Sequence, residues 1–311
     1  MNTIFTVTLP FFALIGCGYA AARLRVFPDA GIPGLNVFVW YFALPALVFR
    51  ALALRPLAEI VDIPYIAAWA AGGWAVFIAV AMLSRALFRL PFGATLLQGQ
   101  GAELSNIGYM GLPMLIALFG DKAAVPAVLA MLTDMVLVQT PTMALLEVAR
   151  NRHGHPVAVA WKVIKGFVAN PLVLAVTAGG AVAAFRVDLP APVNAFTELL
   201  GRSAGPCALF AIGAKLAGQP VADRFGEVAL MTIGKLVLHP LAILAAMTLT
   251  FGLEAERTTI AVLAAALPIG GNVFVVAQSF GIYAARTSTA ILVSTATAVL
   301  TFSLLAGALA P

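Results

Sequence analysis

The sequence predicts an all-α polytopic membrane protein whose ten transmembrane helices form two inverted repeats of five helices each. Three observations lead to this fold class. The chain is 62% hydrophobic and only 10% charged, whereas soluble domains carry roughly 25% charged residues. Its apolar residues occur in runs of about 20, the length that spans a hydrocarbon core. Its two halves also place several prolines and glycines at matching positions.

Ten apolar runs are long enough to cross a bilayer as helices. The first is expected to be a membrane helix and not a cleaved signal peptide, because Arg23 and Arg25 follow it and nothing basic precedes it. The predicted spans are 4–22, 32–53, 63–84, 93–119, 123–147, 166–185, 191–217, 226–251, 258–282 and 285–309.

The distribution of Lys and Arg predicts how the chain is oriented in the membrane. The loops after spans 1, 3, 5, 7 and 9 hold eleven of these residues, and the opposite loops hold five. Positive residues concentrate on the cytoplasmic side, so we expect a multi-pass protein of a bacterial inner membrane with both termini outside. The net charge of +5 is explained by these scattered loop residues, and we expect membrane lipid and no nucleic acid as a partner.

One long connection divides the chain into two halves. We expect 151–165 to be a cytoplasmic linker between a first five-helix repeat at 1–150 and a second at 166–311. Because five is odd, the second repeat would enter the membrane from the opposite face, an inverted topology that recurs in secondary transporters. At an offset of 161 residues the halves superpose Pro10 on Pro171, Gly18 on Gly179, Pro45 on Pro206, Phe49 on Phe210, Asp62 on Asp223 and Gly73 on Gly234.

The fourth span of each half carries residues that disfavour a helix. Span 4 contains LSNIGYMGLP (Leu104–Pro113), and span 9 contains LPIGGN (Leu267–Asn272). Glycine and proline free backbone N–H and C=O groups, which membrane proteins tolerate only in contact with protein or a wet cavity. Paired interruptions indicate a transport site, where half-helix N-termini attract an anion and Asn106 or Asn272 binds polar groups. The alternative is that the glycines serve packing and the proline produces a tolerated kink.

Ionisable residues inside the spans are costly and are therefore functional candidates. Glu103 precedes Asn106 by about one helical turn, and Asp134 lies near the middle of span 5. An ion-coupling set that would bind Na+ or exchange H+ consists of Glu103, Ser105, Thr133 and Asp134.

Two basic residues within the spans leave alternatives open. Lys235, which shares a helix face with His239, either pairs with Asp134 or Glu103 or binds a substrate carboxylate. Arg202 is spaced for an ion pair with Glu198, and is otherwise available to a substrate carboxylate.

Several motifs in the right order resemble the auxin efflux carrier family along nearly the whole chain. They are SNIGYMGLP, LPIGGNVFVVAQSFG, LNVFVWYFALPALVFRALA, NPLVLAVTAGG and PCALFAIGAKLAG. The resemblance implies interleaved scaffold and transport domains, broken helices 4 and 9 that cross at the substrate site, an elevator-type motion, and compatibility with a homodimer. The short central linker departs from the long cytoplasmic loop of the plant members, which argues against auxin as the substrate.

The resemblance also implies which residues surround the substrate. They are Asn106, Gly108, Pro113, Pro268 and Asn272, and we add Gly270, Gly271 and Lys235 from the second interruption and span 8.

We therefore expect a secondary transporter that moves a small organic anion, a mono- or dicarboxylate, by alternating access. The alternative is a sodium/proton-type cation antiporter of related fold, in which Asp134 and Glu103 would bind the ions. We expect no enzymatic activity, because no catalytic zinc or paired-aspartate motif is found in the spans. We likewise expect no cofactor and no metal centre, with His153 and His155 of the linker exposed to solvent.

Overall fold

A computed structural model describes residues 2–56, 60–150, 165–166, 168–218 and 224–309. Every regular element in this part of the chain is helical, apart from one isolated β-bridge. By length and composition, five helical stretches of the described residues can cross a membrane. They are Gly31–Ala53, Ile63–Phe88, Ile107–Arg150, Phe225–Thr250 and Ala284–Leu309. The predicted linker residues 151–164, with His153 and His155, lie outside the described residues.

The helices follow the predicted spans closely. In the first half they are α1 (Asn2–Arg23), α2 (Gly31–Ala53), α3 (Ile63–Phe88), α4 (Phe92–Glu103), α5 (Leu112–Phe119), α6 (Ala124–Thr133) and α7 (Thr140–Arg150). In the second half they are α8 (Pro171–Phe185), α9 (Ala191–Arg202), α10 (Ala204–Leu216), α11 (Phe225–Thr250), α12 (Ala255–Ala265), α13 (Gly271–Phe280) and α14 (Ala284–Leu309).

Local capping sets where two of these helices begin. Asp62 accepts a hydrogen bond from the backbone N–H of Tyr65 at 3.0 Å and so starts α3. Asn170 does the same for Leu172 at 2.9 Å, which places the start of α8 at Pro171 and not at the predicted residue 166. Proline fits the first helical turn because its missing N–H has no intrahelical acceptor there.

Both predicted interruptions are present, and they contact each other. Leu104 is extended after α4, and Ser105 forms an antiparallel bridge with Ile269. The backbone N–H of Asn106 donates to the carbonyl of Pro268 at 3.0 Å, and the N–H of Gly270 donates to the carbonyl of Leu104 at 2.9 Å. Each broken segment thus satisfies the backbone groups of the other, which lipid cannot do.

Span 7 contains a break that the sequence analysis missed. The predicted continuous span 191–217 is two helices, α9 and α10, separated by a turn at Ser203. The hydroxyl of Ser203 donates to the carbonyl of Leu200 at 2.6 Å, and Pro206 cannot supply an N–H to continue the ladder.

Prolines explain four of the five wide π-helical turns among the described residues; the fifth, Ala246–Thr250, has no proline after it. Each of the four ends two residues before a proline, and widening the turn relieves the clash between the proline ring and the preceding carbonyl. The turns are Val39–Ala43 before Pro45, Ile107–Gly111 before Pro113, Asp134–Gln139 before Pro141, and Gly234–Leu238 before Pro240.

Two close helix contacts have the same form in the two halves. A Cβ atom at Gly18 of α1 would collide with the carbonyl of Phe210 in α10, and one at Gly179 of α8 would lie 2.6 Å from the carbonyl oxygen of Phe49 in α2. Gly179 and Phe49 are the counterparts of Gly18 and Phe210 at the offset of 161. Both pairs of helices therefore approach closely only because glycine is present.

We predict that Gly18→Ala and Gly179→Ala each destabilise the protein by roughly 1–3 kcal/mol, because the new methyl group overpacks a contact with backbone. The melting temperature of the purified protein in detergent measures the effect. Gly16→Ala and Gly180→Ala are the matched controls, since nothing lies within 4 Å of a Cβ at either position. Equal melting temperatures for all four variants would contradict the packing argument.

Candidate functional site

The crossing of the two interrupted spans brings together helix ends of like polarity. The C-termini of α4 and α12 lie so close that one ammonium group, Nζ of Lys235, donates to the carbonyl of Glu103 at 3.0 Å and to that of Ala265 at 2.8 Å. A helix C-terminus carries partial negative charge and an N-terminus partial positive charge. One side of the crossing is therefore negative, and the N-termini that follow the two interruptions make the other side positive.

Lys235 of α11 occupies the negative side. Its side chain is fully buried, and Nζ also donates to Oγ of Ser105 at 2.5 Å and lies 2.5 Å from Nδ1 of His239. Buried charges are stable only with partners, and here the partners include both helix ends. This ammonium stabilises the crossing and is not available to a substrate, so the structure does not support Lys235 as a contact for the substrate carboxylate.

Two buried carboxyl groups lie beside this cation. Glu103 and Asp134 are within interaction distance of each other, and Nε1 of Trp69 donates to Asp134. The second oxygen of Asp134 and both carboxylate oxygens of Glu103 have no hydrogen-bond donor among the described residues. Gly73 makes room for Glu103, since a Cβ there would lie 2.9 Å from its Oε1.

The charges of this cluster balance when it holds one proton. Two carboxylates and one ammonium leave one negative charge, and burying a net charge in a membrane protein is costly. A proton shared between Glu103 and Asp134 makes the cluster neutral and satisfies oxygen atoms that otherwise have no donor. One proton on the carboxyl pair would therefore balance the charges of this cluster.

A small cavity of about 40 Å³ lies on the positive side of the crossing. Its polar side chains include the amides of Asn106, Asn272 and Gln139, and Nδ2 of Asn272 lies 3.5 Å from Oε1 of Gln139. None of its lining residues is Lys or Arg. The lining residues are Trp40, Leu104, Ser105, Asn106, Gly108, Tyr109, Met131, Asp134, Met135, Gln139, Leu172, Gly270, Gly271 and Asn272. We call this cavity the central pocket.

The structure brings most of the predicted binding residues to the central pocket. Those lining it are Asn106, Gly108, Gly270, Gly271 and Asn272, with Ser105 and Asp134 from the predicted ion-coupling set.

The remaining predicted residues do not line this pocket. Pro113 packs against α10 at Gly205, and Pro268 contributes its carbonyl to the crossing. The hydroxyl of Thr133 donates to the carbonyl of Leu129 at 2.8 Å, and that of Ser105 is bound to the ammonium of Lys235. A sodium ion at Ser105 would meet the positive charge of this ammonium, which disfavours a sodium shell built there.

Arg202 does not contribute to the pocket either. Its side chain is 77% exposed and pairs with Oε1 of Glu198 at 2.5 Å, as the spacing predicted. Glu198 also pairs with Arg50 of α2 at 3.1 Å, a contact across 148 residues that the sequence did not indicate. These charges join helices at the surface and do not line the central pocket.

The aromatic residues of the site were missed by the sequence analysis. Trp69 binds Asp134, and Trp40 stacks on Tyr109 with ring centroids 6.3 Å apart at the edge of the central pocket. A signal was present for Trp69, because its N–H needs an acceptor inside an otherwise apolar span. No pattern in the sequence identified the acceptor 65 residues away.

Comparisons with known proteins agree with these features. The family described as "Membrane transport protein" matches residues 3–306. A protein of Rhizobium meliloti (strain 1021) named "Putative malonate transporter" is 33% identical over 301 residues, covering 97% of this chain and 94% of its own. The "Uncharacterized transporter YfdV" of Escherichia coli (strain K12) is 26% identical over 294 residues, covering 91% and 90%.

We predict that Lys235→Met destabilises the protein by roughly 3–5 kcal/mol, because it leaves buried negative charge unpaired. Adding Glu103→Gln should recover part of this loss, since the carboxylate beside the ammonium is then removed as well. Urea unfolding or melting temperature in detergent measures both changes. Lys215→Met is the control, and a loss for Lys235→Met no larger than for Lys215→Met would contradict the central role of Lys235.

Proposed function

Because the chain belongs to the membrane transport protein family, that of the auxin efflux carriers, we propose that it carries a small organic anion, a mono- or dicarboxylate, across a bacterial inner membrane. The observation that carries this proposal is the central pocket at the N-termini of two broken helices. It is a multi-pass membrane protein, and we propose the orientation with both termini outside on the basis of its loop charges.

We further propose ten spans in two inverted repeats, 1–150 and 166–311. The reciprocal contacts of Gly18 with Phe210 and of Gly179 with Phe49 support this arrangement, because a pseudo-two-fold axis repeats every contact with its partners exchanged. At the crossing, an offset of 164 relates the two bridged segments, whose paired bonds from Asn106 to Pro268 and from Gly270 to Leu104 are those of any antiparallel bridge.

The domain division of the proposed elevator follows from helix packing. Helix α1 packs on α10 and α2 packs on α8 and α9, while α3 packs on α4 and α11 packs on α12. The first group is suited to a scaffold, which is also the surface for a homodimer, and the second holds both interruptions. In an elevator the second group moves relative to the first and exposes the central pocket to the two sides in turn.

Substrate recognition in this proposal relies on dipoles in place of a charged side chain. The first N–H groups of a helix have no intrahelical acceptor and readily bind anions. Two such N-termini, at Ile107 and Gly271, and the amides of Asn106, Asn272 and Gln139 would hold the carboxylate groups. Moderate affinity follows, which suits a carrier that has to release its substrate.

Asp134 would couple the anion to a proton. It lines the central pocket and also faces Glu103. An anion in the pocket repels a second negative charge, so its binding favours the protonated pair, and by linkage a bound proton favours the anion. Proton and anion therefore move together.

The same carboxyl pair supports the cation antiporter as the alternative, in which Glu103 and Asp134 exchange ions and no organic anion binds.

We predict that one of malonate, malate, succinate, lactate and indole-3-acetate raises the melting temperature, and that Asn272→Ala weakens its binding roughly ten- to hundredfold. Loss of one hydrogen bond to a charged group costs about 1.5–3 kcal/mol. Malonate is the first ligand to test because of the name of the Rhizobium relative. Gln278→Ala, on the exposed face of the same helix, is the control. If no acid stabilises the protein and sodium or pH alone does, the antiporter is the better proposal.

We predict that Asp134→Asn abolishes the acceleration of anion uptake by an inward proton gradient, because the variant can no longer exchange a proton. Exchange of labelled anion across proteoliposomes without a gradient should persist. Asp188→Asn, at an exposed loop position, should behave like the parent protein. Normal gradient dependence in Asp134→Asn would remove Asp134 from the coupling step.

A further inference from the structure

A second cavity of about 180 Å³ lies where α3, α6 and α12 begin, at the predicted outer end of the protein. We call it the outer vestibule. Its charged residues form ion pairs across the opening, between Arg257 and Asp62 and between Lys122 and Glu256. A cavity of this size with polar walls holds several water molecules. Neither the central pocket nor the proposed anion site extends to these residues.

Tyr65 belongs to the walls of this vestibule, yet its side chain is only 1% exposed. Its hydroxyl has no hydrogen-bond partner among the described residues. A buried hydroxyl without a partner is unfavourable, and a water molecule in the vestibule is the partner that its position allows.

The same tyrosine lies beside the buried carboxyl pair. Its hydroxyl is within electrostatic range of Asp62 on the vestibule side and of Asp134 on the inner side. Tyr65 also stacks on Trp69, with ring centroids 6.4 Å apart, and Trp69 donates to Asp134. The second oxygen of Asp134 has no donor among the described residues and is free to accept a proton.

We propose that the outer vestibule is the route by which protons reach the carboxyl pair, and that the hydroxyl of Tyr65 relays them to Asp134. The proposal rests on the proton coupling of the proposed function. A tyrosine hydroxyl both donates and accepts hydrogen bonds. In the relay, a hydronium ion of the vestibule gives its proton to the Tyr65 oxygen as the tyrosine O–H proton passes to a bridging water, which gives one of its own protons to Asp134. The bridging water is required because the Tyr65 hydroxyl and Asp134 share no direct hydrogen bond. Tyr65 ends unchanged, and the net result is transfer of one proton.

The charged groups on the two sides of Tyr65 favour transfer of the proton to the carboxyl pair over its retention in the vestibule. On the vestibule side, Asp62 is already paired with Arg257. On the inner side, Asp134 faces Glu103 and Lys235, and His239 lies behind Lys235. The carboxyl pair is therefore the proton acceptor in line with Tyr65. Because Asp134 also lines the central pocket, proton and anion reach it from separate cavities.

Trp69 supplies a direct reporter, because its indole N–H is bound to Asp134. We replace Trp40, Trp74 and Trp161 by Phe and follow the fluorescence of Trp69 after a rapid change of pH in detergent. We expect a fluorescence change that is absent in Asp134→Asn. In Tyr65→Phe the change should be at least tenfold slower, with the same final amplitude and the same midpoint pH. Tyr41→Phe, at an exposed tyrosine, should leave the rate unchanged.

The outcomes separate the relay from the coupling. A fluorescence change as fast in Tyr65→Phe as in the parent would overturn the relay and leave the proposed function intact. Absence of any pH response in the parent would overturn the proton coupling itself, and the relay with it. A shifted midpoint in Tyr65→Phe would mean that Tyr65 only shapes the site, which also overturns the relay. Tyr65→His, which restores an exchangeable group, is expected to recover much of the rate.

A second variant tests the vestibule without changing Tyr65. Val125 lines this cavity, and Val125→Cys can be labelled with a methanethiosulfonate reagent after Cys17 and Cys207 are replaced by Ser. Filling the vestibule is expected to slow the Trp69 fluorescence change at least tenfold. An equal rate before and after complete labelling would show that protons arrive by another route.

Discussion

The contacts of the Lys235 ammonium are the interaction on which the centre of this protein depends. Two helices end inside the membrane with their carbonyl groups directed at one another, and both ends carry partial negative charge. Without a cation these ends would repel each other and leave carbonyl groups unsatisfied. Lys235 bonds to both, at Glu103 and Ala265, and also to the hydroxyl of Ser105 within the bridge. The crossing is stable because this one charge is enclosed within it.

The position of that cation determines what the other side of the crossing can bind. The ammonium of Lys235 binds the negative C-termini of α4 and α12. The N-termini at Ile107 and Gly271 therefore remain as the sites of partial positive charge next to the central pocket. An anion bound there would lie close to Asp134, the one carboxyl group of the pocket lining. Substrate binding and proton binding are then linked by simple electrostatics, and no large rearrangement is needed to connect them.

The sequence predicted the helices and the interruptions well, because both depend on local properties. Runs of apolar residues set the spans, and the glycines and prolines of Leu104–Pro113 and Leu267–Asn272 prevent a continuous helix. The break at Ser203 and the π-helical turns were not predicted, although Pro206 and the proline that follows four of the five turns were visible signals. The role of Lys235 could not be derived, because its partners are 30 and 132 residues distant in the chain.

The two halves share packing contacts, but the buried charges of the central cluster occur in one copy only. The offset of 161 that relates Gly18 to Gly179 places Trp74 opposite Lys235, and the offset of 164 at the crossing places Leu267 opposite Glu103 and Ala298 opposite Asp134. None of these counterparts is ionisable. The proposed inverted repeat would explain how the carrier can present one pocket to either side of the membrane at similar cost. The proposed carrier has one buried carboxyl pair, Glu103 and Asp134, and would therefore carry one proton with each anion. A second carboxyl pair in the other half would bind a second proton.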